Sequence, residues 1–248
     1  GCGYPQYSYS RSGAESGFSN LAVFYGACGF DCLYCQNWHF RKLSVSLSPL
    51  VSSKTLASKA GSNVTCICYF GGDPSPQMLH AIDTSELAVQ MAQSESRILR
   101  ICWETNGGMN AHFASRAADL SLSSGGNMKF DLKFASEDLN RAVCGVSNTT
   151  TLTNFKRIGG LFSKRPEVPL VSASTLLVPG YVDMEEVKRI AGLIADVDTR
   201  IPYSLLAFYP HYVMSDLPTT DRKMAMSCLE LAKKQGLERV TLGNVHLL

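Results

Sequence analysis

The chain has 248 residues, 45% of them hydrophobic and 18% charged, and a formal net charge of +2. That balance excludes a disordered chain and argues against a nucleic-acid or anionic-membrane partner. No apolar run reaches the roughly 18 residues that a membrane helix needs, and the length suits one domain with a single core.

Residues 1–20 are rich in Gly, Ser and Tyr, have no usable period and read as a lead-in; residues 21–248 read as one core domain. The opening Gly1-Cys2-Gly3-Tyr4-Pro5 does not read as a signal peptide. Residues 21–26 form a short apolar run closed by glycine, a buried strand. After a cysteine-bearing loop, residues 49–60 read as a helix with Ser48 as its cap. A second strand covers 64–70 and ends at Gly71-Gly72-Asp73-Pro74; a helix follows from 76 to about 93. A third strand at 97–103 ends at Glu104-Thr105-Asn106-Gly107-Gly108, followed by a helix over 110–120. The fourth strand, 128–132, ends at Asp131 and Lys133; Ser136 starts a helix, and another covers 151–162. The fifth strand, 170–178, stops at Pro179-Gly180, and Asp183 caps an amphipathic helix to 197. A sixth strand at 202–208 precedes a helix opened by Pro218-Thr219-Thr220-Asp221 and stopped by Gly236, with a short strand at 239–242.

Six β-α units with continuous apolar strands predict an α/β fold with a mainly parallel sheet, curled into an open partial (β/α)6 barrel short of the eight units of a closed one. In such folds the site lies at the C-terminal ends of the strands. The cysteine loop, Gly71-Gly72-Asp73, Glu104-Thr105-Asn106-Gly107, Asp131-Leu132-Lys133 and Tyr209-Pro210-His211 all fall there.

The loop holds Cys28, Cys32 and Cys35 in C-x3-C-x2-C spacing beside Gly26 and Gly29. Clustered thiolates point to a metal, and three rather than four leave one iron of a [4Fe–4S] cluster open. The competing reading is a structural or redox thiol trio. Nine cysteines, an odd number without framework spacing outside this loop, lead to the expectation of a reducing cytoplasm and no disulfides. Glu104, Asp131 and Lys133 suit a zwitterion with amino and carboxylate groups, against the plainer reading of a salt bridge at the barrel rim. The five histidines show no ligand spacing; His39 and His211 lie nearest the edge.

Cys28-x3-Cys32-x2-Cys35, with aromatic Tyr34 before the last cysteine, resembles the signature of the radical S-adenosylmethionine (SAM) superfamily. Cys35-Gln36-Asn37-Trp38, Gly71-Gly72-Asp73-Pro74, Glu104-Thr105-Asn106-Gly107, Phe130-Asp131-Leu132-Lys133 and Leu176-Leu177-Val178-Pro179-Gly180 are similar to its pyruvate formate-lyase activating enzyme-like branch. The resemblance covers residues 21–245. It implies that Cys28, Cys32 and Cys35 ligate a [4Fe–4S] cluster, that SAM binds its open iron, and that cleavage of SAM gives a 5′-deoxyadenosyl radical that abstracts hydrogen from a substrate. It places Tyr34 and Gln36 along SAM, Gly71, Gly72 and Asp73 at the methionyl amino group, Lys133 near the carboxylate, and Asp131, Leu132 and Tyr209 on the same wall. Glu104, Thr105 and Asp131 become candidates for a monovalent cation beside SAM. Three departures are visible: Asp73 stands for the usual Glu, Glu104 for the common Asp, and Tyr209 for a His. The resemblance also implies a flavodoxin- or ferredoxin-type electron donor. The substrate stays open between a small molecule, a peptide and a partner enzyme that receives a glycyl radical; a non-catalytic iron–sulfur electron carrier is the alternative from another class. No second cysteine cluster follows the barrel, so an auxiliary Fe–S domain is not expected.

Overall fold

The computed structural model describes residues 17–248, so most of the lead-in assigned to 1–20 lies outside the described residues. Seven strands form one sheet: β1 (Ser19–Phe24), β2 (Val64–Gly71), β3 (Arg100–Thr105), β4 (Met128–Asp131), β5 (Val171–Leu177), β6 (Tyr203–Ala207) and β7 (Val240–Gly243). Every neighbouring pair is parallel, and the order in space is the order in the chain. Each crossover therefore advances one position in the same direction, which curls the sheet instead of winding it both ways from a switch point. Among the described residues β7 does not pair with β1, so the barrel is open: six β-α units and a closing strand.

The crossovers carry α1 (Phe40–Ser46) and α2 (Ser53–Ala57), then α3 (Met78–Ser94), α4 (Ala111–Ser124), α5 (Glu137–Cys144) with α6 (Thr149–Gly159), α7 (Met184–Ala195) and α8 (Arg222–Lys234). Side-chain caps account for several starts, those at Ser136 and Asp183 as predicted. Asn110 accepts from His112 N at 2.8 Å, Ser136 from Leu139 N at 3.3 Å, and Asp183 from the N–H groups of Glu185 and Glu186 at 3.0 Å. Two expectations change. The helix expected over 49–60 is α2 alone, because Ser52 and not Ser48 caps it, accepting from Thr55 N at 3.2 Å. The strand expected at 97–103 is β3, shifted so that Glu104 and Thr105 are strand residues.

That shift matters because side chains alternate across a strand. Tyr69, Trp103, Phe130 and Tyr203 are fully buried. Tyr69 donates to Ala81 O of α3 and Trp103 Nε1 to Ala117 O of α4, so this set faces the helices. Tyr69 and Trp103 stack at 4.4 Å between centroids, continuing a core layer from strand to strand. The alternate residues form an inner wall that is polar: Cys68 reaches Glu104 at 4.0 Å, Lys129 pairs with Glu104 at 2.9 Å, and Ser174 donates to Asp131 at 2.6 Å. No helix among the described residues is long and apolar enough to cross a membrane. Cys28, Cys32 and Cys35 are free thiols.

Candidate active site at the C-terminal ends of the strands

The cysteine loop leaves β1 at Tyr25, whose N–H is held by Gly71 O at 2.9 Å. Several of its further fastenings are main-chain bonds. Asp31 N and Leu33 N donate to Cys144 O and Val143 O at the end of α5, both at 2.9 Å, and Leu33 O accepts from Val213 and Met214 at 3.0 and 3.2 Å. Asp73 N donates to Ala27 O at 2.9 Å, tying the Gly71-Gly72-Asp73 turn to the start of the loop. Gly72 has φ +61°, and a Cβ there would stand 2.2 Å from Tyr25 O and 2.5 Å from Ala27 O. Glycine is required because two backbones cross at this point.

Cys28, Cys32 and Cys35 open onto one cavity whose lining also includes Gly72, Asp131 and Lys133. Burial pushes the Cys28 thiol up to about 12, with the Asp73 charge adding to it. Cys32 is raised well above the thiol range by its hydrogen bond with Cys144 and by burial, and Cys35 is raised by burial. Cys28 Sγ nevertheless already accepts from Phe30 N at 3.3 Å and Asn106 Nδ2 at 3.6 Å, donors that favour a thiolate. Thiols this high must lose their protons to an incoming metal. Among the described residues no three His, Cys, Asp or Glu side chains converge on a point, as a single ion would need. A cubane does not need that, because each thiolate binds a different iron. Three soft sulfur donors spread round one cavity therefore fit a cluster better than a mononuclear ion.

The charged part of the lining fits an amino acid. Lys133 Nζ pairs with Asp131 Oδ2 at 3.1 Å, leaving the cation further donors, while Asp131 Oδ1 accepts from Ser174. Burial pushes the Asp131 carboxyl up, but Lys133, Lys129 and the Ser174 hydroxyl outweigh it and hold the group below its ordinary value. Asp131 and the neighbouring Asp131–Lys133 pair thus present both charges to the cavity.

The candidate residues separate into three sets. Tyr34, Gln36, Gly72, Asp73, Glu104, Asp131, Leu132 and Lys133 line the cavity with the three cysteines. Within it, Asp73 is turned into the wall: its carboxylate accepts from Thr105 Oγ1 at 3.0 Å, Asn106 N at 2.7 Å and Ser75 N at 2.8 Å. Glu104 faces Lys129 while Thr105 faces Asp73, so Glu104 and Thr105 point to different partners and do not form one cation cluster with Asp131. Tyr34 is buried and its hydroxyl meets Cys144 Sγ at 3.7 Å. Gly71 and Tyr209 are not in the lining: Gly71 lies under the Phe24 ring, and Tyr209 is 50% exposed.

Phe30, Phe70, Asn106, Ser174, Leu176, Leu206 and Asn244 also line the cavity. Counting by two along β5 from Ser172 would have found Ser174 and Leu176; Asn244 follows β7 with no such signal. Buried amides hold the loops around this edge. Asn154 Nδ2 donates to Gly107 O at 2.9 Å and Met109 O at 2.8 Å, and Thr151 Oγ1 to Asn106 O at 2.6 Å.

Two uncharacterised proteins of Methanocaldococcus jannaschii are similar to this chain, one 21% identical over 88% of it and the other 25% identical over 91%. The chain spans 63% of the length of each. A solved domain of pyruvate-formate lyase-activating enzyme from Bacteroides vulgatus superposes with a TM-score of 0.55 at 17% identity, covering 71% of this chain and 98% of that one. Streptococcus suis SuiB bound to S-adenosylmethionine superposes at 0.60 with 13% identity, over 93% of this chain and 49% of its own; SuiB has also been solved with its precursor peptide SuiA. At these identities the solved structures bear on the fold alone. The model of the Radical SAM superfamily matches residues 22–194, from β1 through nearly all of α7. With the match running over most of the barrel, the chain belongs to the radical SAM superfamily, enzymes whose cofactors are a [4Fe–4S] cluster and SAM.

Proposed function

We propose that Cys28, Cys32 and Cys35 ligate three irons of a [4Fe–4S] cluster and that Gly72, Asp131 and Lys133 hold SAM at the fourth. The observation that carries this reading is one cavity lined by the three thiols, Gly72 and the Asp131–Lys133 pair. Lys133 offers donors to a carboxylate, Asp131 accepts from an ammonium, and Gly72 brings bare backbone to the same place. Tyr34 and Gln36 lie on the cysteine side, along the path of the nucleoside. When bound, the cluster supplies one electron to cleave the sulfonium S–C5′ bond, giving methionine and a 5′-deoxyadenosyl radical that takes a hydrogen atom from the substrate. Phe70, Leu176 and Leu206 supply the apolar part of the lining. The electron comes from a low-potential donor of the flavodoxin or ferredoxin class. An electron carrier would have no use for a charged pair lining the same cavity as the thiols, which disfavours that alternative.

Anaerobic reconstitution with iron and sulfide tests the reading. Loaded protein is expected to change its reduced-cluster EPR signal when SAM is added and to yield 5′-deoxyadenosine with dithionite. Cys32→Ala is expected to lose the four-iron cluster; a Cys32→Ala protein that keeps it would sink the ligand assignment.

A further inference from the structure

Cys28 Sγ accepts from two N–H groups, that of Phe30 in its own loop at 3.3 Å and the Asn106 side-chain amide at 3.6 Å. The first donor is local. The second comes from the loop after β3, 78 positions along the chain. Asn106 is buried and lines the cavity that the three cysteines share. Its amide can stand only one way round. Oδ1 accepts from Gly108 N at 2.8 Å, and because that N–H can only donate, Nδ2 is the atom left to face the sulfur. The main chain of Asn106 is held as firmly: its N–H donates to the Asp73 carboxylate at 2.7 Å and its carbonyl accepts from Thr151 Oγ1 at 2.6 Å. Gly107 N donates to Thr105 Oγ1 at 3.0 Å, and Gly107 O accepts from Asn154 Nδ2 at 2.9 Å. A donor fixed by this many bonds keeps one aim, and its aim is the Cys28 sulfur.

We infer that Asn106 is a positioning residue for the cluster: its amide donates to the Cys28 sulfur, orients that ligand and raises the cluster's reduction potential. The inference rests on the ligand assignment proposed above and goes beyond it. Reduction by the low-potential donor adds one electron, and the added negative charge is shared with the ligand sulfurs. An N–H donor to such a sulfur therefore stabilises the reduced form more than the oxidised one. Loss of the donor destabilises the reduced form and makes the potential more negative.

The test is an EPR-monitored redox titration of reconstituted wild-type protein, Asn106→Leu and Thr151→Val, with iron and sulfide counted in each. Asn106→Leu removes the donor at similar volume, and Gly108, whose N–H loses its acceptor, is exposed to water. This variant is expected to titrate at a more negative potential, with the reduced-to-oxidised ratio at fixed potential falling about tenfold, equivalent to about 59 mV for one electron. Thr151→Val cuts a brace on the Asn106 carbonyl and leaves the amide in place. It is expected to melt at a lower temperature and to keep the wild-type midpoint. If Asn106 only braces the loop, Thr151→Val shifts the midpoint together with Asn106→Leu, and the inference is overturned. An Asn106→Leu protein with a full cluster and the wild-type midpoint overturns it as well. Should Asn106→Leu fail to load, pulsed EPR of wild-type protein carrying ¹⁵N only in its asparagine side chains decides the question. A nitrogen coupling to the reduced cluster is expected, and its absence overturns the inference. A wild-type protein that takes up no cluster overturns the proposed function, and this inference with it.

Discussion

Asp73 does its work inside the wall. It accepts from the Thr105 hydroxyl and from the N–H groups of Asn106 and Ser75, so it joins the turn after β2 to the loop after β3. Burial raises its carboxyl above the ordinary value despite these donors. Asp73→Ala would orphan the buried Thr105 hydroxyl and Asn106 N–H, at about 1–3 kcal/mol for each; urea denaturation is expected to register that loss, while Asp73→Asn, which keeps an acceptor oxygen, loses less. Asp131 behaves differently, held below its ordinary value chiefly by Lys133 against the pull of burial. A depressed folded pKa gives stability that is present above the unfolded value of about 3.9 and is lost as pH falls through the folded one. Thermal melts from roughly pH 5 downward are expected to fall less steeply for Asp131→Asn than for wild type. At this scale the sequence named what carries a motif. Cys28, Cys32, Cys35, Asp131 and Lys133 sit on one cavity as expected. It could not name Cys144, which folding brings to Tyr34 across 110 positions of chain. Tyr209 was drawn to the site by its place after β6, but it stays half-exposed outside the lining.

Strands were legible as elements because most are apolar runs, several of them ended by glycine or proline, and two of the capped helices because Ser136 and Asp183 announce them. Helix α1 had neither signal: His39 makes no capping bond and none of its residues is buried. The two-residue shift of β3 was equally invisible, since Glu104 and Thr105 read as loop residues when judged by polarity. Alternation resolves them, sending Glu104 to Lys129 and Thr105 to Asp73. The junction between β2 and the cysteine loop makes the sharpest element-scale expectation. Gly72→Ala puts a methyl within 2.5 Å of two carbonyl oxygens at a φ of +61°, so the loop must move. Lower thermal stability and reduced iron uptake on reconstitution are expected together; normal uptake would mean that the crossing is not what sets the loop's position.

For the whole molecule, a strand order equal to chain order brings every strand end to one rim, which is why five separated motifs could be expected to meet. Binding at that rim bears on the stability of the entire barrel. SAM at about 100 times its dissociation constant contributes about 2.7 kcal/mol to a protein that binds it only when folded. For a chain of this size that is a rise in melting temperature of roughly 5–11 °C. Differential scanning fluorimetry under nitrogen is expected to show the rise for cluster-loaded wild type and not for Cys32→Ala. An equal rise in both would separate SAM binding from the cluster. The seventh strand, expected only as a short addition at 239–242, closes the series and carries Asn244 to the cavity.

The cysteine loop's attachment to α5 and to residues 213–214 runs through amide and carbonyl groups at positions 31 and 33. Nineteen of the twenty residue types supply both groups identically, proline alone lacking the N–H. Point mutation therefore cannot loosen the loop at these anchors except by introducing proline. A substitution at position 31 or 33 other than proline changes the face that a redox partner or substrate would meet while leaving these anchors in place.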